Sequence, residues 1–238
     1  KFWKENGADR VVAAREMSIK DIHSMKEAAD IEVEAFVHGA MCISYSGRCL
    51  LSNYFTKTRD ANRGQCAQAC RWRYHLVEET RPGEYYPIEE DEHGTYIFNS
   101  KDLCLLYHIP DFFKAGVDSL KIEGRMKSVH YAATVTHVYR EAIDAYLEEG
   151  DNWKVRPEWV EELQKISHRP YTEGFSVDKP DEQAQNYGQS SNTQTHDFIG
   201  LVEGYNTEEG YAIVEQRNNF KLGDQVEFCQ PHGPLVKY

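Results

Sequence analysis

What this sequence lacks narrows it first. No apolar run approaches the roughly 20 residues that a bilayer-crossing helix needs, so no membrane partner is expected. Residues 1–7 lack the apolar centre of a signal peptide and read as the tail of a helix begun earlier, as in a fragment of a longer cytoplasmic chain. Basic charge is scarce: 27 Lys and Arg against 39 Asp and Glu leave a net charge of −12, which argues against indiscriminate binding to nucleic acid while leaving room for a local basic face. There is no tight Cys-x-x-Cys pair, no Gly-x-Ser-x-Gly elbow and no His-Glu-x-x-His helix. Those absences remove the zinc ribbon, the serine-hydrolase elbow and the zinc-protease helix. Aromatics are not scarce, and 4 Trp, 15 Tyr and 10 Phe are too many for a disordered chain.

What is present begins with alternation. Residues 9–15 (DRVVAAR) form a strand candidate with a nearly continuous apolar centre, as buried parallel strands have. Ser18 caps a helix in which Ile19, Ile22, Met25 and Ala28 recur at helical spacing. Strands follow at 31–37 and 118–122, with short helical stretches at 103–107 and 111–115 between them. A long helix over 128–149 carries the stripe Tyr131, Val135, Val138, Ala142 and Tyr146, and another helical stretch covers 158–166. Such alternation predicts an α/β fold with a parallel sheet, the C-terminal half of a (β/α) barrel spanning 1–175. Within it, 42–100 reads as a Cys-rich insertion with antiparallel strands at 73–79, 84–89 and 95–99 and a turn at 92–94. A polar linker is expected at about 176–195, followed at 196–238 by a truncated small β-barrel with strands at 198–205, 210–215 and 225–228.

Five of the six cysteines fall in or beside the insertion, spaced Cys42-x6-Cys49-x16-Cys66-x3-Cys70-x33-Cys104. Wide, unequal spacing suits an iron–sulfur cluster whose thiolates converge from separate loops. Buried reduced thiols and disulfides are the alternatives. Gly39 and Ala40, just before Cys42, are small enough to let backbone approach a bulky inorganic group. Between Cys42 and Arg73 lie Arg48, Lys57, Arg59, Arg63, Arg71 and Arg73 against the single acid Asp60, interleaved with Tyr45, Tyr54, Phe55, Trp72 and Tyr74. Cations for phosphates and planar faces for unstacked bases are what a single-stranded RNA loop requires. The alternative is a solvated basic segment balanced by the acidic stretch 78–92.

Glu123 ends a strand and shares a face with Arg125, so the two are candidates to act together at the barrel mouth. Arg125 and Lys127 suit a dicarboxylate; a structural ion pair among Lys121, Glu123 and Arg125 is the competing reading. Glu34 and His38 flank another strand end and are candidates for proton transfer. Arg169 and Tyr171, after a helix, can hold a phosphate or a base, and a conformational role for Pro170 competes with that.

The segments EAFVHGAMC (34–42), GRCLLS (47–52), KIEGRMK (121–127), HRPYTEGF (168–175) and EQRN (215–218) together resemble the collagenase-like peptidase family U-32. The resemblance implies a (β/α) barrel followed by a small β-barrel, with the family's N-terminal half-barrel absent here or supplied by a partner chain. It further implies a 4Fe–4S cluster on Cys42, Cys49, Cys66 and Cys104, with Cys70 as the alternative ligand. The branch most similar to this sequence hydroxylates the wobble uridine of the tRNA anticodon loop at its 5-position, without oxygen and with prephenate as co-substrate. The expected catalytic residues are thus Glu34, His38, Glu123 and Arg125, and the expected RNA or substrate contacts Arg48, Arg63, Arg71, Trp72, Lys127, Arg169 and Tyr171. Peptide hydrolysis, from which the family takes its label, and a non-catalytic RNA-binding fragment are the alternatives.

Overall fold

The computed structural model describes residues 1–42, 44–72, 75–76, 86–87, 100–177, 193–230, 233 and 236–238. They divide into two compact units, residues 1–127 with 168–192, and residues 128–167 with 193–238.

In the first unit a short helix α1 (Phe2–Glu5) precedes β1 (Arg10–Val12) and α2 (Ile19–Ala29). Ser18 and Asp21 close a capping box: the Ser18 hydroxyl accepts from the Asp21 N–H at 3.1 Å, and the Asp21 carboxylate accepts from the Ser18 N–H at 3.3 Å. The central strand β2 (Glu32–Ala40) buries Val33, Ala35 and Val37 on one face by simple alternation. That alternation ends at a bulge between Phe36 and His38, after which four consecutive residues are buried.

The chain then passes through α3 (Leu51–Thr56), two 3-10 turns (Ala61–Arg63, Ala69–Arg71) and the antiparallel pair β3 (His75–Leu76) and β4 (Tyr86–Pro87). It returns as β5 (Asp102–Cys104), a 3-10 turn (Leu106–His108), α4 (Ile109–Lys114) and β6 (Ser119–Glu123). β2 pairs in parallel with β1 and β6 and antiparallel with β5; β5 pairs in parallel with β7 (Tyr171–Thr172). β1 and β5 meet residues of β2 that β6 also meets, so they share the edge opposite β6.

The second unit holds α5 (Val129–Glu149) and α6 (Pro157–Lys165), which pack together with Trp159 and Leu163 buried. Ser128 caps α5, and Pro157 opens α6 where a missing N–H costs nothing. Beyond them, β8 (Gly200–Asn206) and β9 (Tyr211–Gln216) form one hairpin, and β10 (Glu227–Phe228) pairs with β11 (Val236–Lys237). Lys165 ties α6 to β10 through Glu227 at 2.6 Å.

The α/β reading and its parallel pairings hold. No closed barrel forms among the described residues, and the antiparallel β5 makes the main sheet mixed rather than parallel. The stretch 103–107 is not helical from its start: Asp102, Leu103 and Cys104 are strand, because they find partners on β2 and β7 that local propensity cannot anticipate. The predicted strand at 95–99, the turn at 92–94 and residues 178–192 of the predicted linker lie outside the described residues. Among the described residues no helix is long and apolar enough to cross a membrane.

Candidate functional site

Two groups of side chains meet near the end of β2, one of thiols and one of buried charges. Cys42 directly follows the strand, and the loop–helix segment 44–72 brings back Cys49, Cys66 and Cys70. These four thiols lie within electrostatic reach of one another: Cys42 responds to Cys49 and Cys66, and Cys70 to all three. Burial pushes the Cys42 thiol up and Cys70 further, to about 11. All are reduced. The Cys42 sulfur accepts from the Ser44 N–H at 3.4 Å, and the Cys66 sulfur from the Gln68 N–H at 3.3 Å and the Ser52 hydroxyl at 3.8 Å. Cys104 stands on β5, opposite His38 in the β2–β5 register.

No three described His, Cys, Asp or Glu side chains are drawn together as a single metal ion demands. An all-thiol donor set with N–H groups aimed at sulfur instead suits an iron–sulfur cluster, which is bound by cysteine thiolates and tuned by such hydrogen bonds. Arg15 faces the Cys42 and Cys66 side of this set, and Arg71 and Arg169 face Cys70. Arg15 feels both Cys42 and Cys66, lies 3.8 Å over the Phe36 ring and meets Glu123 at 3.4 Å. Burial lowers its pKa, and those negative neighbours oppose the shift.

The second group surrounds Asp102, which is fully buried. Its Oδ1 accepts from Arg71 at 2.6 Å; its Oδ2 accepts from the Arg169 N–H at 3.2 Å and faces Lys127 at 3.7 Å. Arg71 also donates to the Met41 carbonyl at 3.0 Å, so the insertion is fastened to the end of β2. Burial alone would raise the Asp102 pKa, but Arg71, Lys127 and the Arg169 N–H outweigh it and hold the carboxyl below its ordinary range. His38 is buried beside them, pushed down to about 3 by desolvation and therefore neutral. Its ring lies 5.3 Å from Tyr171, which stacks on His168 at 4.3 Å.

The predicted site residues thus separate. Glu34 lies toward the start of β2, held by Lys121 at 2.6 Å, Ser119 at 3.0 Å and Arg10 at 3.6 Å; the Lys121 hydrogen bond leads in keeping it ionised. Four residues along a strand is about 13 Å, so Glu34 and His38 do not form one site. Glu123 does not join its side chain to that of Arg125: it accepts from the Arg125 backbone N–H at 3.0 Å, while the Arg125 guanidinium donates to the Gly64 carbonyl. The competing ion pair of Lys121, Glu123 and Arg125 does not form either, since Lys121 turns to Glu34 and Glu123 to Arg15. Gly39 is small for a different reason than the one expected. Its φ is +109°, and a Cβ there would stand 2.2 Å from the Glu123 carbonyl oxygen, so the close approach is between β2 and β6.

Arg48 and Arg63 are exposed, as are Tyr45, Tyr54, Phe55 and Trp72; Phe55 lies 6.0 Å from Trp72 and 5.3 Å from Tyr54, ring to ring. Arg169 is buried instead, and the Arg71 and Lys127 side chains are only 10% exposed. Arg73 and Tyr74 lie outside the described residues. Asp102 and Arg15 escaped the sequence reading. The only available hint for Asp102 was its position two residues before a cysteine, and for Arg15 its place just after a strand.

With this geometry in place, similarity to known proteins becomes informative. The model of Peptidase family U32 matches residues 1–186, and that of the Peptidase family U32 C-terminal domain matches residues 194–238. The chain is 48% identical over 230 residues to tRNA hydroxylation protein P1 of Bacillus subtilis, covering 97% of this chain and 54% of that protein. It is 38% identical over 279 residues to tRNA hydroxylation protein P of Escherichia coli, covering 99% and 60%. It is also 31% identical over 237 residues to a protein of Porphyromonas gingivalis named Collagenase, covering 94% and 56%. The chain therefore spans little more than half the length of these relatives. No solved structure matches it.

Proposed function

The chain belongs to Peptidase family U32, and from that membership we propose that it is the thiol-bearing part of a tRNA-modifying enzyme. The proposed reaction is oxygen-independent hydroxylation of the wobble uridine at its 5-position, with prephenate as co-substrate. In this reading the open sheet belongs to a (β/α) barrel over 1–175 that chain outside these residues completes. A linker at 176–195 then leads to an accessory β-barrel over 196–238. The longer protein works in the cytoplasm on the tRNA anticodon loop.

One observation carries the proposal: four thiols share a site with an exposed aromatic and basic surface on the same segment. Cys42, Cys49 and Cys66 would hold a 4Fe–4S cluster, with Cys104 or Cys70 as the fourth ligand. When bound, such a cluster supplies electrons or a Lewis-acid iron. The remaining roles fall to the chain's own residues. Tyr54, Phe55 and Trp72 stack unpaired bases, and Arg48 and Arg63 take phosphates. Glu123, which pairs with Gly39 and turns to Arg15 beside the thiols, is the group placed to move a proton there, whereas His38 pairs with Ile122 and lies on the other face with the Asp102 group. Arg15 balances negative charge at the thiols.

The deciding experiment is mass spectrometry of tRNA nucleosides from a deletion strain complemented with wild-type or Cys49→Ala protein. Wild type should restore 5-hydroxyuridine and the variant should not, and anaerobically purified wild type should be brown. Gelatin cleavage by the purified protein, lost with Cys42→Ala and accompanied by unchanged tRNA nucleosides, would replace this reading with the hydrolytic one of the Porphyromonas gingivalis relative.

A further inference from the structure

Ser52 stands between two of the thiols. It lies three residues after Cys49, in the first turn of α3, yet only 1% of it is exposed. Its hydroxyl oxygen accepts from the Ala67 N–H at 2.7 Å, which engages a lone pair and leaves the single hydroxyl hydrogen for another acceptor. That hydrogen is directed to the Cys66 sulfur, 3.8 Å away. One buried side chain thus links the segment of Cys49 to the sulfur of Cys66.

Cys66 is held from other sides as well. Its sulfur accepts from the Gln68 N–H at 3.3 Å, and its carbonyl accepts from Arg59 at 3.2 Å. Gln68 takes a φ of +53°, a left-handed conformation that a glutamine adopts only where its surroundings enforce it. Cys42, by comparison, receives one described donor, the Ser44 N–H at 3.4 Å. Filling space does not by itself call for a serine at 52, since alanine is as small and brings no polar atom to bury.

We propose that Ser52 is a positioning residue for Cys66: it fixes that sulfur relative to Cys49 and raises the reduction potential of the cluster that these thiols would hold. Reduction places part of the added negative charge on the thiolate sulfurs, and a hydrogen bond to sulfur stabilises the more negative state. Removing the hydroxyl should therefore lower the potential. Being buried, Ser52 acts through Cys66 and not on a substrate. This role rests on the thiols being cluster ligands, as proposed above, and adds the residue that sets the properties of one of them.

The test is a redox titration of the anaerobically purified full-length protein with dithionite and mediator dyes, followed by absorbance and electron paramagnetic resonance. Iron and sulfide are assayed in every sample. Ser52→Ala should keep its cluster and show a one-electron reduction constant at least about threefold lower, a midpoint about 28 mV more negative. Ser52→Thr, which keeps the hydroxyl, should stay within that margin of wild type. A Ser52→Ala protein that is less stable but keeps the wild-type midpoint overturns the proposal, because a merely structural role moves stability alone. If Ser52→Ala does not fold or does not load, Ser52→Thr decides: failure to load, or a shift beyond that margin, overturns the proposal. Wild type that lacks iron and sulfide removes the cluster reading and this role together. An iron-bearing wild type with an unmoved Ser52→Ala midpoint removes this role alone.

Discussion

Arg63 and Arg169 carry the same side chain and occupy opposite surroundings. The Arg63 side chain is 82% exposed on a 3-10 turn, with only a 4.0 Å approach to Asp60, whereas Arg169 is buried among other cations around one carboxylate. In the first setting water screens the charge and a partner can come and go; in the second the charge is a fixed part of the interior. A basic residue near a cysteine cluster therefore says little until its burial is known. Exposed cations are free to recruit a large polyanion, and buried ones are committed to whatever fits inside.

That contrast can be broken most severely at Asp102. Replacing it with Ala leaves Arg71, Lys127 and Arg169 without their shared anion, and the expected cost is about 3–5 kcal/mol in chemical denaturation. The pH dependence follows from its sign. Asp102 has a folded pKa below the unfolded value of about 3.9, so its contribution is complete above that value and disappears as pH falls through the folded pKa. Acid unfolding of wild type should therefore lose a component that Asp102→Asn lacks.

Gly39→Ala comes next. It forces a side chain against the Glu123 carbonyl at a positive φ, for a loss of about 2 kcal/mol or more in thermal or denaturant unfolding. On the exposed side, Trp72→Ala should cost about 1–3 kcal/mol of tRNA affinity. Arg63→Ala should reduce the salt slope of binding by about 1 while changing stability by less than about 0.5 kcal/mol. A tRNA affinity untouched by both substitutions would remove the exposed segment from the interface.

The smallest effect is at His108, half-buried between Asp111 at 2.9 Å and Glu173 at 3.1 Å. Burial lowers its pKa, but the two carboxylates outweigh that and raise it. Its contribution is therefore complete below the unfolded value of about 6.5 and is lost as pH rises through the folded pKa, on a scale below about 1 kcal/mol. His108→Gln should flatten that part of the stability profile.

Periodic features were legible from sequence because local chemistry sets them. The capped helix after Ser18, the long helix ending at Glu149 and the apolar alternation of β2 are of that kind. β5 was not, since three residues become strand only when Ala40 and Thr172 are there to pair with their backbone. Within the site, the placing of Cys42, Cys49 and Cys66 on one stretch of chain was readable from spacing. The partners of Glu123 and Arg169 were not, because Arg15 and Asp102 approach them from distant parts of the chain. Burial was the least legible property of all, and it is what divides one set of arginines from the other.

The register of β2 with β5 has a consequence for how this molecule can diversify. The main chain leaves the sheet at Ala40 and comes back at Asp102, and these two residues are direct partners across the strands. The stretch between them leaves the sheet with its two ends already clamped together, like a pouch drawn shut at its neck. Lengthening such a loop is cheap, about 0.6 kcal/mol for each doubling, and it leaves the strand register untouched. The segment that carries four thiols and the exposed aromatics can thus be enlarged, trimmed or exchanged while the neck stays closed. Specificity for a new partner would then evolve in the pouch without refolding the sheet beneath it.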